Sequence, residues 1–576
     1  MNIPPASSQE VRVTINASAA RKTLLNCFIV SFSLMMQKLC LSRSRRIGSP
    51  FYSILIFSNH HMLVKTFGSA VYGVEAISIT VEVNWMATGK DYMIVGLPDN
   101  AVKESMQRVE STIKTNGFTM PRTRIVVNLA PADIKKSGTP FDLPIAIGVL
   151  AASEQIENRE ELEHYVIMGE LSLDGAVRPI KGALPIAIQA RKEGFKGLFV
   201  PRENAREAGM VNNLSVYGVT HINEVIEFFE TGGKNLKAIA VDTREEFAHA
   251  QADFEVDFSD VKGQENIKRA LEIAAAGGHN AILIGPPGAG KTMLAKRLPT
   301  ILPPLTLHEA LETTKIHSVA GKLPEHATIV SQRPFRSPHH TISDVALVGG
   351  GGTPQPGEIS LAHNGVLFLD ELPEFKRTVL EVMRQPMEER RVTISRAKVA
   401  VDFPASFMLI ASMNPCPCGY YNHPERACSC PPGTVQKYLN KVSGPLLDRI
   451  DLHVEVTPVA FNELSAQRPQ EHSLQIRERV IKARERQAAR YKNDENIYCN
   501  AQITSKMLRE ICVIGTPGQN LLKAAMEKLN LSARAYDRIL KVARTIADLA
   551  SSDDIKIEHL AEAIQYRSLD REGWAG

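Results

Sequence analysis

The sequence predicts an α/β multidomain protein whose middle third is a phosphate-binding core built on apolar strands. Three observations carry that prediction. The chain of 576 residues is longer than one hydrophobic core supports, so roughly two to four domains are expected. The stretch Gly285 to Thr292, GPPGAGKT, has the glycine, the four-residue gap and the Gly-Lys-Thr of a phosphate loop, between an apolar strand, Ala281 to Ile284, and a helix, Met293 to Leu298. A second apolar strand, Gly365 to Leu369, ends in the adjacent acids Asp370 and Glu371.

A net charge of +4 permits nucleic-acid contact through local patches without arguing for it. Of the eight cysteines, Cys27, Cys40, Cys499 and Cys512 are scattered and the others are clustered, which is foreign to a secreted disulfide framework. A cytoplasmic location and no membrane partner are the expectations. Residues 1–61 differ in kind from the rest of the chain. Leu24 to Leu41 is apolar but broken by Gln37 and Lys38, and the heavier basic run, Arg43-Ser44-Arg45-Arg46, comes after it. Three readings stand for this extension: a targeting or membrane segment, a disordered tail, or translation from an upstream start, with the coherent protein beginning at Met62.

From residue 62 to 233 the pattern is mixed α/β. Val74 to Val83 reads as a strand, and Val102, Met106, Val109 and Ile113 fall on one helical face that Gly117 ends. A strand, Arg124 to Leu129, and a helix, Phe141 to Ala152, come next. The stretches Gly138 to Ala146 and Gly169 to Ile180 resemble the Lon-protease-like (S5-like) α+β domain found at the front of the magnesium-chelatase-like family. In that resemblance Pro140 stands where Lon proteases carry the serine and Leu184 where they carry the lysine. Neither side chain does nucleophilic or base chemistry, so a non-proteolytic scaffold or binding module is expected.

Residues 234–255 carry mixed charge and little periodicity and read as a linker, and the domain of the phosphate loop begins at 256. Phe258 to Gln264 resembles the adenine-side segment of AAA+ ATPases, which implies Val261 and Gly263 near the base. In the loop itself, Gly285, Pro286, Pro287, Gly288, Ala289 and Gly290 supply backbone amides to phosphate, Lys291 reaches its outer oxygens, and Thr292 holds Mg²⁺. Asp370 completes the Mg²⁺ site and Glu371 orients an attacking water. The cofactors expected are therefore ATP and Mg²⁺.

Between these motifs lie His339-His340 and the run Gly349 to Gly352. No further ligands sit at helical spacing from the histidines, so a metal is not favoured there, and the glycine run reads as a moving loop. Arg391 to Val399 then alternates, with Val392 and Ile394 on one side and basic residues, including Arg396 and Lys398, around the turn. It looks like the presensor hairpin of this AAA+ clade, suited to contact a phosphate backbone, although a solvated hairpin has the same pattern. Asn414, at the end of the strand Ser406 to Ser412, resembles the sensor that positions water. Cys416, Cys418, Cys428 and Cys430 offer four soft ligands for a structural tetrahedral zinc within a 416–430 insert, with inert or redox cysteines as the other reading.

Ser443 to Asp451 resembles the segment bearing the arginine finger, which implies that Arg449 acts on a neighbouring subunit; an intramolecular ion pair with Asp448 or Asp451 is the alternative. Ser473 to Tyr491 carries Arg477, Arg479, Lys482, Arg484, Arg486 and Arg490, a face for nucleic acid or merely for solvent. Ser532 caps the helix of Tyr536, Ile539, Leu540, Ala543 and Ile546, and Arg534 resembles the second sensor of a C-terminal helical lid spanning 459–576.

From Met62 to about Arg571 the order of these parts, with an AAA+ core at 256–458, resembles the magnesium-chelatase-like AAA+ family carrying a Lon-like domain. The resemblance implies a homo-hexameric ATPase that moves on branched or single-stranded DNA and drives branch migration in the recombination of incoming DNA during natural transformation. A metal-chelatase motor subunit and a protein-remodelling machine are the alternatives; the latter calls for an aromatic pore loop and an intact Ser-Lys pair.

Overall fold

The computed structural model describes residues 62–86, 89–249, 254–324, 328–396, 399–421, 423, 425–458, 470–494 and 497–567. The expectations for residues 1–61 lie outside the described residues, as do those for Lys398 and the side chain of Arg396. The described residues all belong to the unit His60–Gly576.

The first part is a seven-stranded sheet in the order Tyr92–Val95, Ile125–Ala130, Glu75–Trp85, Met62–Tyr72, Tyr165–Ile167, Gly197–Pro201, Ser215–Val219. Its long antiparallel pair runs in register from Met62 opposite Trp85 to Tyr72 opposite Glu75. Val81, Val83, Val127 and Leu129 are buried against Val102, Met106, Val109 and Ile113, the helical face expected from the spacing, although the helix is interrupted at Glu104. The helix Asp142–Ala152 is buried along its whole length and lies so close to the sheet that a Cβ on Gly148 would meet Val83 at 2.7 Å. Pro140 and Leu184 sit in backbone-bonded positions: the Pro140 carbonyl accepts from the Gly169 amide at 3.0 Å, and the Leu184 amide donates to Glu207 at 2.9 Å.

The expected linker is partly structured. Ile239 bridges to Val216, its amide donating at 2.8 Å, and a helix, Thr243–His249, carries Glu246 to Arg206 at 2.7 Å and to Thr328 at 2.7 Å. A one-residue bridge and a seven-residue helix are too short to leave a periodic signal.

The seven-stranded part and the phosphate-loop part share a core. Ala183, Leu184 and Ala187 are buried with Leu305, Ala310 and Ile329, and the Gly182 amide donates to the Ser318 carbonyl at 3.1 Å.

The second sheet has five strands, in the order Phe335–Arg336, Val366–Leu369, Met408–Met413, Ala281–Ile284, Leu452–Glu455, all parallel. Three of these strands are wholly buried, as apolar runs covered on both faces require. The strand ending at Met413 is inserted between the strand of the phosphate loop and the strand of the two acids, so the carboxyl ends of all three meet where the strand order reverses. Ligands of open α/β sheets bind at such points.

The C-terminal helices include Ser473–Arg490, Thr516–Leu529, Ala533–Leu549 and Ile557–Gln565. Ile476, Val480, Ile539, Ala543 and Leu560 join one hydrophobic cluster with Leu271, Ala274 and Leu294 of the phosphate-loop part. Three arginines of the basic helix bond across that junction, two pair within the C-terminal helices, and Lys482 is exposed. Arg477 donates to the Thr300 carbonyl at 2.8 Å, Arg479 pairs with Glu272 at 2.6 Å, Arg484 donates to Ala275 at 3.0 Å, and Arg490 pairs with Asp548 at 2.6 Å. Arg486 pairs with Asp553. Among the described residues no helix is long and apolar enough to cross a membrane.

Candidate functional site

The phosphate loop leaves the strand Ala281–Ile284 at Gly285, where a Cβ would meet the Val456 carbonyl at 2.3 Å, so only glycine fits. Gly288 and Gly290 take φ of 80° and 81°, and a Cβ on Gly288 would meet nothing within 4 Å. The loop is therefore open on that side, as a cradle for phosphate must be. The next helix runs Lys291–Ile301, beginning two residues earlier than the spacing predicts.

Lys291 is the hub. Its ammonium donates to the Gly285 carbonyl at 2.7 Å, the Pro286 carbonyl at 2.9 Å and the Asn414 side-chain oxygen at 3.1 Å. Burial pushes its pKa below the usual lysine range, with Asp370 and Glu371 acting in the opposite sense. Thr292 donates to Asp370 at 2.7 Å. A hydroxyl and a carboxylate in that relation are a fitting donor set for a hard divalent cation. Asp370 also accepts from the Ser412 hydroxyl, and the Glu371 amide lies 3.4 Å from the same oxygen. Glu371 has a left-handed backbone, φ 54°, and a 57% exposed side chain with His340 Nδ1 at 3.6 Å.

Six of the expected residues thus converge directly: Gly285, Pro286, Lys291, Thr292, Asp370 and Asn414. Val261 is buried in the core beside Phe258 and Ala289, and Gly263 turns the chain with φ 64°. The next residue, Gln264, ties this segment to the loop by donating to the Ala289 carbonyl at 2.8 Å.

Arg449 and Arg534 lie elsewhere. Arg449 is 8% exposed and pairs with Glu388 at 2.8 Å while donating to Pro445 at 2.6 Å. The ion pair is intramolecular, with Glu388 as its partner rather than Asp448 or Asp451. Arg534 is 61% exposed and reaches Asp448 at 3.8 Å. Asp451 is instead buried against His279 at 3.3 Å and Arg538 at 2.9 Å.

The presensor-like hairpin pairs Arg391–Arg396 with Val399–Pro404. Val392 and Ile394 are buried with Leu347, on the side expected, and the exposed Arg391 lies 3.9 Å from Asp402. Half of the glycine run lies in a short hairpin and the rest forms its turn. Gly349 and Gly350 pair with Pro356 and Gln355, and Gly349 has φ 110° with a Cβ position 2.5 Å from the Gln355 carbonyl. Gly349 serves a tight backbone approach, whereas a Cβ on Gly352 would meet nothing within 4 Å. The rings of His339 and His340 lie with centroids 4.1 Å apart, tilted by 34° to one another.

The sulfurs of Cys416, Cys418, Cys428 and Cys430 all lie within 4.8 Å of one another. Cys416 to Cys418 is 3.3 Å, Cys418 to Cys428 is 3.5 Å and Cys416 to Cys428 is 3.7 Å. A tetrahedral zinc bonded at about 2.3 Å sets its sulfurs roughly 3.8 Å apart, so the donor set fits a four-thiolate metal.

Ser412, Gln264 and His340 are the contributors that the pattern analysis passed over. Ser412 had a signal, a lone hydroxyl in the otherwise apolar strand Met408–Met413. His340 had one as half of a histidine pair, but its partner is a carboxylate distant in sequence.

Similarity to known proteins divides along the same three parts. The magnesium chelatase subunit ChlI family matches residues 257–464, a second ChlI family matches residues 81–204, and the ChlI C-terminal family matches residues 470–567. The chain is 44% identical over 512 residues to the competence protein ComM of Haemophilus influenzae, covering 88% of this chain and 98% of that one. It is 45% identical over 507 residues to the uncharacterized protein YifB of Escherichia coli, covering 87% and 96%. A stretch of 154 residues is 32% identical to Lon protease 2 of Bacillus subtilis, covering 24% of this chain and 26% of that one.

Proposed function

This chain belongs to the magnesium-chelatase ChlI-type ATPase family together with ComM and YifB, and from that premise we propose that it is an ATP-driven DNA motor. It acts on branched or single-stranded DNA in the recombination of incoming DNA during natural transformation. The observation that supports an ATPase is the meeting of Lys291, Asn414, Thr292 and Asp370 at the reversal of strand order. The name of the competence relative supports the DNA process.

ATP is the substrate, its phosphates lying along Gly285 to Thr292. Thr292 and Asp370 would hold Mg²⁺, which when bound neutralises charge on the transferred phosphoryl group. Lys291 meets the outer phosphate oxygens. Glu371 aligns the attacking water and accepts its proton, and Asn414 orients that water without adding charge. Val261 and Gly263 flank the base. Arg449 of a neighbouring copy, released from Glu388, and Arg534 stabilise the developing negative charge, which requires an oligomer and fits a homo-hexamer. The hairpin Arg391–Arg396 with Val399–Pro404 touches the DNA backbone. The first sheet is a Lon-like scaffold without protease chemistry, the C-terminal helices form the lid, and the four cysteines hold a structural zinc. The protein works in the cytoplasm.

The test is ATP turnover by the full chain alone, with linear DNA and with a synthetic four-way junction, using Glu371→Gln as the inactive control. Stimulation by the junction with ATP-dependent strand exchange is expected. Turnover indifferent to every DNA would move the reading to a chelatase-type or protein-remodelling motor.

A further inference from the structure

The cysteine cluster sits against the nucleotide site. Gly419, inside the segment joining Cys418 to Cys428, lies so close to the phosphate loop that a Cβ on it would stand 2.4 Å from Pro287 Cδ. Its φ of 85° is one that side-chain-bearing residues rarely adopt. On the other flank, the buried Cys416 comes two residues after Asn414, and Asn414 bonds to Lys291 at 3.1 Å. One short turn joins the two contacts: the Gly419 amide donates to the Cys416 carbonyl at 3.0 Å, and the Tyr421 amide reaches the Cys416 sulfur at 3.3 Å.

The described residues of this segment have no hydrophobic core of their own. Among the described residues from 417 to 431, no hydrophobic side chain is buried, and none lies in a helix or strand. A loop with neither core nor ladder needs another source of order, and four convergent thiols supply one when they share a metal.

We propose that a metal ion bound by Cys416, Cys418, Cys428 and Cys430 is a strut of the nucleotide site, so that ATP affinity depends on its occupancy although no cysteine touches ATP. The ion fixes Cys416 and Cys418, the chain between them and Tyr421 fixes Gly419 against Pro287, and the chain before them fixes Asn414 over Lys291. The inference rests on the zinc reading above, and the experiment separates the two. The strut is structural, because four thiolates leave no coordination position for a substrate.

The experiment takes the full chain, purified under reducing conditions, and measures zinc by elemental analysis and ATP affinity by equilibrium binding. Stoichiometric zinc is expected, and Cys428→Ser or treatment with a strong chelator should remove it and weaken ATP binding by about tenfold, since small displacements of a binding loop are costly. Returning zinc to the chelated wild-type protein should restore affinity. Gly419→Ala keeps all four ligands but forces the contact with Pro287 apart, so it should retain zinc and lose a similar part of the affinity. A reduced protein without stoichiometric metal would overturn the zinc reading and the strut together. A protein that holds zinc, yet binds ATP equally well after chelation and as Gly419→Ala, would keep the zinc and overturn the strut. If Cys428→Ser fails to fold, the chelation series and Gly419→Ala give the same decision.

Discussion

The side-chain oxygen of Asn414 accepts a hydrogen bond at 3.1 Å from the ammonium of Lys291, joining the end of one strand to the first residue of the phosphate-loop helix. The lysine keeps two loop carbonyls as further acceptors, so loss of the amide leaves it bonded. Asn414→Ala should therefore bind ATP within about threefold of wild type and turn it over roughly 100-fold more slowly, the scale on which misplaced reacting groups cost rate. Equilibrium binding beside steady-state turnover checks this. A parallel loss of both would make Asn414 a binding residue instead.

Glu371 differs from its neighbour Asp370 in surroundings. Asp370 is held by Thr292 and Ser412, whereas the Glu371 carboxylate is more than half exposed and has His340 beside it at 3.6 Å. A carboxylate so lightly held is free to meet a water. Glu371→Gln preserves shape and removes only the basicity, so ATP binding should persist while hydrolysis falls at least about 100-fold. Single-turnover hydrolysis of prebound ATP reads the chemical step directly, and near-normal turnover would take Glu371 out of the reaction.

Arg449 and Glu388 make an ion pair whose acid is half exposed, at 49%. Removing the arginine strands no buried charge, but it empties a buried position and leaves the Pro445 carbonyl without its donor, so Arg449→Ala should cost stability about 1–3 kcal/mol. If the residue serves a neighbouring copy, turnover should fall about 1,000-fold with ATP binding intact. Mixing Arg449→Ala with Lys291→Ala should then restore activity, because one protein supplies the finger and the other the intact site. Mixed activity equal to the sum of the separate proteins would mean that the pair with Glu388 is the whole role of Arg449.

What the sequence made legible were features whose partners are local. The phosphate loop declares itself by spacing, and the acids by the apolar strand before them, because each pattern is completed within about ten residues of chain. The arginines of the helix Ser473–Arg490 were ambiguous because their partners, Glu272, Asp548 and Asp553, are far away in sequence. Charge periodicity cannot distinguish a wet face from one that clamps two parts of a protein. The run Gly349 to Gly352 was ambiguous for a different reason. Glycine permits both mobility and close backbone approach, and spacing alone does not show the hairpin contact that brings Gly349 against Gln355. Gln264 was hidden because its bond to Ala289 joins segments that approach only once the sheet has formed.

Asp257 joins the start of the phosphate-loop part to the C-terminal helices, and its charge makes that junction sensitive to pH. Its carboxylate accepts from the Ser473 amide at 3.1 and 3.2 Å and from the Ser259 amide at 2.8 Å. Burial pushes its pKa up, but the hydrogen bonds from Ser259 and Ser473 outweigh this and bring it down to about 2. An unfolded aspartate titrates near about 3.9. A folded pKa below that value means the ionised form is favoured by folding, so the stabilisation is complete above about pH 4 and disappears as pH falls through about 2. Because the side chain is 37% exposed, the shift converts to only about 1 kcal/mol after allowance for solvent screening. Asp257→Asn should accordingly loosen the first turn of the helix Ser473–Arg490 at pH 7, raising amide exchange there about fivefold relative to wild type. The ratio of variant to wild-type exchange, taken at each pH, should hold steady down to about pH 5 and fall toward unity near pH 2. A ratio that stays constant across that range would show that the carboxylate's charge contributes nothing and that Asp257 acts by shape alone.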